Sequence, residues 1–110
     1  IMSNGGHRQE VQVIPKEWIN DITHNGDPQA CIDGDFYNNM GKCLMHHRSK
    51  WYTQREAEPL IFGLGIHGQF LFIDPTKKVS IAWFSSQNNP LNSPTFEKTF
   101  ETIQKIRNEF

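Results

Sequence analysis

A glycine-rich apolar stretch contains the residues whose types and spacing point most directly to chemistry. Residues 61–73 read Ile-Phe-Gly-Leu-Gly-Ile-His-Gly-Gln-Phe-Leu-Phe-Ile, which places glycine at positions 63, 65 and 68. The β-branched and aromatic residues predict a strand. Glycine inside a strand weakens pairing and packing, and it marks a bulge or a place where a ligand or another backbone comes close. His67 lies in the same stretch, where it either faces a site or, in the interpretation we favour, packs under the hairpin.

The histidines and cysteines allow one metal-binding set. Cys43 and His46 are three residues apart, and His24 and Cys31 lie upstream. Structural zinc sites usually contain two tight ligand pairs, whereas His24 and Cys31 are seven residues apart. We therefore predict solvent-facing loop residues, and neither a metal nor a cofactor. A bridge between Cys31 and Cys43 is possible, but two unpaired thiols are favoured because the sequence is too poor in cysteine for a disulfide scaffold.

Length and charge exclude several classes of protein. The chain has 110 residues, which is the usual size of one domain. Its 11 basic and 12 acidic side chains give a net charge of −1, which argues against a general electrostatic attraction to nucleic acid. No apolar stretch approaches the roughly 18 residues of a membrane-spanning helix. Neither nucleic acid nor a membrane segment is expected, and the sequence does not predict a compartment.

Two segments precede the glycine-rich stretch. Pro15 opens residues 15–23, which carry a small apolar stripe. Proline is favoured at a helix start because its missing N–H needs no partner there, so a short helix is predicted over 15–23. Residues 24–59 are rich in Asn, Gly, Asp, His and Arg and show no sustained period. They predict a long irregular segment, which in a compact domain is usually functional or covered by something else.

A hairpin and a helix complete the predicted fold. Residues 74–78 are a turn by composition, so the runs 61–73 and 79–84 are predicted to form an antiparallel hairpin. Ser93 is the predicted N-cap of a final helix, with Pro94 at its first position. The apolar stripe of that helix contains Phe96, Phe100, Ile103, Ile106 and Phe110. The predicted class is α+β, with a short helix, an irregular segment, an antiparallel β-hairpin and a C-terminal amphipathic helix.

Several motifs resemble one enzyme superfamily. The run Gly65–Gln69, followed by Asp74-Pro75 and Ser85-Ser86, resembles the third active-site strand of the serine β-lactamases and penicillin-binding proteins. The likeness is closest to class C-like esterases and 6-aminohexanoate-dimer hydrolases. Asn4-Gly5-Gly6 and residues 13–18 are similar to a helix end and a following Val-Pro-x-x-Trp helix in those enzymes. The resemblance covers most of the chain and implies a fragment of the β-lactamase/transpeptidase-like fold.

The resemblance also implies roles for a short run of residues. The triplet Gly63-Leu64-Gly65 stands where the superfamily has Lys-Thr-Gly, and the backbone N–H that follows, on Ile66, would stabilise a tetrahedral oxyanion. The residues implied to bind substrate are Gly63, Leu64, Gly65 and His67. Glycine at 65 would let substrate lie against the backbone. The absent lysine argues against β-lactamase activity and favours hydrolysis of a small-molecule ester or amide.

The nucleophile that this resemblance requires is missing from the chain. The superfamily uses Ser-x-x-Lys, in which the lysine takes the serine proton, and none of the six serines has lysine three residues on. Tyr37 and Asn39 match a second motif, Tyr-x-Asn, but lie too close before the strand, so Tyr37 is interpreted as structural. We expect residues 1–110 to be a single C-terminal segment of a serine hydrolase. That segment would be inactive without an N-terminal part that carries the nucleophile.

The sequence is also compatible with two other interpretations. In the first, the hairpin and the Phe-rich helix form a non-catalytic α+β binding or interaction module, in which the glycine-rich strand is only a tight packing site. In the second, less favoured, a loop domain is stabilised by a metal held by His24, Cys31, Cys43 and His46.

Overall fold

The computed structural model describes residues 1–34 and 45–110, in which three helices accompany seven strands. The helices are α1 (Lys16–His24), α2 (Pro28–Asp33) and α3 (Ser93–Asn108). The strands are β1 (His7–Arg8), β2 (Val11–Gln12), β3 (Met45–Arg48), β4 (Trp51–Gln54), β5 (Leu60–Gly65), β6 (Gln69–Asp74) and β7 (Val79–Trp83).

The main sheet is an antiparallel meander. Its five strands follow the chain in the order β3-β4-β5-β6-β7, and β1 and β2 form a separate two-stranded ribbon. The predicted α+β class is therefore confirmed. The helix predicted over 15–23 is also confirmed, since α1 spans Lys16–His24 directly after Pro15. The final helix α3 is confirmed with a different cap: Asn92 Oδ1 accepts the Thr95 N–H at 3.1 Å, and Ser93 is already helical.

The glycine-rich stretch is two strands, where one was predicted. The structure divides residues 61–73 between β5 and β6, joined by a tight turn over Ile66–Gly68. The reason lies in the backbone, because His67 and Gly68 both adopt left-handed conformations with φ of 61° and 77°. Such angles reverse an extended chain. The predicted turn at 74–78 is confirmed between β6 and β7.

The irregular segment predicted over 24–59 is wrong for its described residues. It contains α2, whose start is capped by Asp27 Oδ1 accepting the Gln29 N–H at 2.9 Å. It also contains β3 and β4, of four residues each, which are too short to show a period. Their hairpin turns at Ser49 and Lys50, which take left-handed φ values of 51° and 70° without glycine.

One face of the sheet packs against α3. Side chains of β5 and β6 that point to this face meet the helix in a cluster of aromatic rings, with Phe62 and Phe100 edge to face at a centroid distance of 5.0 Å. Aromatic pairs of this kind add to the free energy of burial. The buried members are Met45, Leu60, Phe62, Phe70, Phe72, Phe96, Phe100 and Ile103.

The opposite face of the sheet is covered at one end by α1. Ile22 of that helix is fully buried against Ile61 and Ile73. Its carbonyl accepts two hydrogen bonds from the sheet, from His46 Nε2 at 2.8 Å and from Thr53 Oγ1 at 3.0 Å. A helix leaves its last carbonyls without helical partners, so these side chains satisfy one of them and hold α1 on the sheet.

A buried ion pair joins α3 to the far end of the sheet. Arg107 Nε lies 2.6 Å from Asp74 Oδ2, and both side chains are only 3% and 2% exposed. The other carboxylate oxygen accepts the Lys77 N–H at 2.8 Å, and Arg107 also donates to the Glu58 carbonyl at 2.7 Å. This network therefore ties the β6–β7 turn, the segment before β5 and the end of α3 together. Within the described residues, no helix is long and apolar enough to cross a membrane.

Replacing Arg107 with Met should destabilise the protein by about 3–5 kcal/mol, because the Asp74 charge would stay buried without its partner. The double variant Arg107→Met/Asp74→Asn should be more stable than this single variant, since Asn keeps the Oδ1 acceptor and removes the charge. Arg48→Met is the matched control: its ion pair with Asp21 is equally short, at 2.6 Å, but partly exposed, so its loss should be smaller. Urea unfolding of the four proteins measures these differences, and a double variant as unstable as Arg107→Met would contradict the assignment.

The free energy of unfolding should fall as the pH is lowered below about 6.5, the ordinary pKa of histidine. Burial lowers the pKa of His46 in the folded protein, so the unfolded chain binds its proton first and protonation favours unfolding. The stability difference between wild type and His46→Gln should therefore shrink between pH 7.5 and pH 5. The neighbouring exposed His47→Gln variant is the control. A difference between wild type and His46→Gln that does not change with pH would rule out this role of His46.

Candidate active site

The candidate site is built around the turn that joins β5 to β6. Gly65 pairs with Gln69 across the two strands, so Ile66–Gly68 form a three-residue connection. A left-handed backbone is uncommon for histidine and usually needs support from its surroundings. We therefore expect contacts from other segments to hold His67 in that conformation.

Backbone carbonyls after β7 hold His67. Its N–H donates to the Pro90 carbonyl at 2.9 Å. Its ring Nδ1 lies 3.1 Å from the Gln87 carbonyl oxygen, and since a carbonyl only accepts, Nδ1 carries the proton. Both bonds anchor the middle of the turn to residues 87–90.

Gln69 and Gly68 complete the attachment. The Gln69 side-chain amide bonds the Ser85 backbone in both directions, donating from Nε2 to the carbonyl and accepting the Ser85 N–H at 3.4 Å. Gly68 packs so closely that a Cβ there would lie 2.9 Å from Gln87 Oε1 and 3.0 Å from Ser85 Cβ. The segment 85–90 therefore holds the whole turn, and we call it the clamp.

The five residues predicted to form the site are contiguous at the end of β5 and in its turn. The side chain of Ile66 is 63% exposed. Gly63 and Gly65 lie on the sheet face that α1 covers only in part, whereas Leu64 is on the other face and packs against the α3 core. The structure thus brings Gly63 and Gly65 to one face, directs the Leu64 side chain to the other, and leaves Ile66 exposed in the turn. His67 is half-buried and its ring is bonded to the clamp, as described above.

An open depression lies beside the two glycines. It is lined by Lys50, Trp51, Gly63, Leu64, Gly65, Gln69, Phe70 and Leu71. Lys50 is the one charged side chain in this lining. A Cβ on Gly63 would meet only Trp51 Cζ3, at an ordinary 3.7 Å. Packing within the described residues therefore does not require glycine at 63, and its small size leaves the β5 backbone accessible from this face.

Three of the four residues of the metal-stabilised alternative, His24, Cys31 and His46, lie in the described part of the chain. No group of three or more His, Cys, Asp or Glu side chains there is placed to hold a metal ion. His46 Nε2 is bonded to the Ile22 carbonyl, and His24 Nδ1 lies 3.1 Å from the Asn20 carbonyl. Burial raises the pKa of the Cys31 thiol. Cys43, together with Tyr37 and Asn39, lies outside the described residues.

The clamp is the part of the site that the sequence did not predict. Gln69 belongs to the motif that carried the resemblance, but nothing in it indicated that its amide pairs with Ser85. The available signal was weak: residues 85–92 are rich in Ser, Asn, Gln and Pro, a composition typical of loops. That composition predicts a connection without saying what the connection binds.

Comparison with known proteins finds similarity to a curated enzyme. No protein-family model matches the chain. A 6-aminohexanoate-dimer hydrolase from Paenarthrobacter ureafaciens is 26% identical over 90 residues, which is 82% of this chain and 22% of that enzyme. The chain thus spans about a fifth of the length of the relative it matches. The match agrees with the motif resemblance at the general level of a β-lactamase-like hydrolase.

Gly63 in β5 and Gly68 in the turn should respond oppositely to alanine. Gly68→Ala should lower the free energy of unfolding by about 2 kcal/mol, since it adds a side chain at a left-handed φ in a crowded position. Gly63→Ala should be neutral or stabilise by about 0.5 kcal/mol, because alanine restricts the unfolded chain and meets no clash. Urea unfolding followed by far-UV circular dichroism compares them. Equal losses in both variants would show that Gly63 is also required by internal packing.

Proposed function

We propose that this chain forms one wall of the active site of a serine hydrolase that acts on amide or ester bonds. In this proposal β5 is the third active-site strand and the Ile66 N–H is an oxyanion donor. The observation that carries it is the similarity to the 6-aminohexanoate-dimer hydrolase. A match of 90 residues in a chain of 110 necessarily includes residues 21–90, so the candidate site lies inside the similar region.

The proposed reaction is acyl transfer through a serine outside this chain. The serine oxygen bonds to the substrate carbonyl carbon, its proton passes to a base, and the carbonyl electron pair moves onto oxygen. The resulting oxyanion needs preorganised donors at about 2.7–3.1 Å. Collapse of the intermediate expels an alcohol or an amine, which takes up the proton held by the base, and water then hydrolyses the acyl-enzyme. In this sequence of steps the chain described above contributes binding and stabilisation of the oxyanion.

Position 63 of β5 supports a role as a substrate-facing strand. Gly63 lies on a partly uncovered face, and glycine costs a strand about 0.5–1 kcal/mol relative to alanine. Since internal packing does not call for glycine at 63, close approach of another group is the physical reason we infer for it. An acyl chain lying along β5 would make that approach.

The residue at position 63 bears on the class of substrate. Under the resemblance, Gly63 replaces the lysine that helps to bind the carboxylate of a β-lactam. We therefore infer that the substrate is a small ester or amide whose binding does not require a lysine at position 63.

Ile66→Pro tests the oxyanion role directly, because proline has no N–H while Gly65, with φ −105° and ψ 159°, has the backbone that a residue before proline prefers. In the natural polypeptide that contains this chain, the variant should lower kcat for a p-nitrophenyl ester about 10²- to 10³-fold, the usual effect of removing one oxyanion donor. Ile66→Val is the matched control, since it trims the side chain and keeps the donor.

The outcomes separate the proposal from a non-catalytic module. Labelling of that polypeptide by a serine-directed fluorophosphonate, with loss of turnover in Ile66→Pro alone, would support it. Unchanged turnover in a folded Ile66→Pro variant would exclude the donor role. A polypeptide that neither hydrolyses esters or amides nor reacts with fluorophosphonate would exclude the hydrolase function as a whole.

A further inference from the structure

The turn that carries Ile66 holds a conformation that its own sequence does not favour. His67 lies at φ 61° and ψ 27°, a left-handed conformation that non-glycine residues adopt at a cost and keep only when the surrounding structure enforces it. Gly68 follows at φ 77°. Strand pairing fixes the turn at Gly65 and Gln69, but it does not reach the residues between them.

The clamp supplies the missing constraint at His67. The backbone N–H and the ring Nδ1–H of this residue point to two different carbonyls, those of Pro90 and Gln87, at 2.9 and 3.1 Å. Two bonds from one residue to one segment restrict both the backbone and the ring. The ring bond also fixes the tautomer, since Nδ1 must carry a proton to donate to a carbonyl.

The position of His67 next to Ile66 gives this constraint a chemical consequence. The Ile66 N–H belongs to the peptide between Gly65 and Ile66, which is held by β5 on one side and by clamped His67 on the other. An oxyanion donor works only when it is aimed where the charge develops. A misplacement of about 1 Å can reduce a rate on the order of 10²-fold.

We propose that His67 is a positioning residue whose ring hydrogen bond to the clamp aims the Ile66 N–H at the oxyanion. This inference rests on the function proposed above and assigns to His67 a task that requires no contact with substrate. It also explains how a histidine, which lacks the conformational freedom of glycine, is kept in a left-handed conformation in the middle of the turn.

The chain offers a sharp pair of substitutions. His67→Asn keeps a side-chain N–H on an atom bonded to Cγ, as Nδ1 is, and asparagine tolerates the left-handed conformation. His67→Gly accepts the same backbone angles without strain but has no ring donor. The two variants therefore differ in the hydrogen bond to Gln87 and not in the ability to form the turn.

Steady-state hydrolysis of p-nitrophenyl butyrate by the natural polypeptide that contains this chain is the first measurement. His67→Gly should lower kcat at least about tenfold with KM changed less than about threefold, because the lost interaction acts in the transition state. His67→Asn should restore kcat to within about threefold of wild type. Ile103→Val, a buried change in α3, is the control for weakened packing and should leave kcat unchanged.

A second measurement monitors the backbone of the β5–β6 turn without depending on catalysis. In the same polypeptide labelled with ¹⁵N-isoleucine, the Ile66 amide signal, assigned through Ile66→Val, should shift and exchange faster with solvent in His67→Gly but not in His67→Asn. Wild-type hydrolysis combined with unchanged kcat and an unchanged Ile66 signal in His67→Gly would overturn the positioning role alone. Absence of hydrolysis and of fluorophosphonate labelling in the wild type would overturn the proposed function, and the catalytic purpose of His67 with it.

Discussion

The ion pair between Asp74 and Arg107 lies where the sheet, its last tight turn and the final helix meet. Both charges are almost fully buried and are satisfied on several sides. Desolvation of two charges offsets much of their attraction, so we infer that the pair matters mainly for where α3 lies. With its end fixed at Asp74, the helix presents its phenylalanines to β5 and β6 in one register. The clamp precedes α3 in the chain, so its path from β7 depends on the same anchor.

Sequence reasoning succeeded where one local signal was sufficient. The apolar stripe of α3 and the proline before α1 predicted both helices, and residues 74–78 predicted their turn. It failed where conformation is imposed from elsewhere. The glycines beside position 67 indicated a bulge or a close approach, but histidine is not a usual left-handed residue, so they did not predict that the long strand breaks there. Strands β3 and β4 are four residues each, which is too short to show a period in the sequence. They are identified by their pairing in the structure.

The candidate site divides in the same way. Its contiguous part, residues 63–67, could be predicted because motif resemblance works on runs of residues. The clamp could not, because His67 and Gln69 bond to backbone groups, and every residue has a carbonyl whatever its type. Which carbonyl is reached depends on the path of the chain after β7. Contacts that depend on side-chain identity could therefore be predicted from the sequence, whereas contacts that depend on the path of the chain could not.

The meander order of the sheet has a consequence for the time course of folding. Every pairing in the main sheet joins strands that are consecutive along the chain, so each hairpin can close over a short loop with a small entropic barrier. The clamp and α3 come later in the chain, and we infer that they dock after these hairpins have closed. On this inference, the left-handed conformation at His67 settles only when the clamp reaches it. We expect the geometry around Ile66 to mature more slowly than the sheet that carries it.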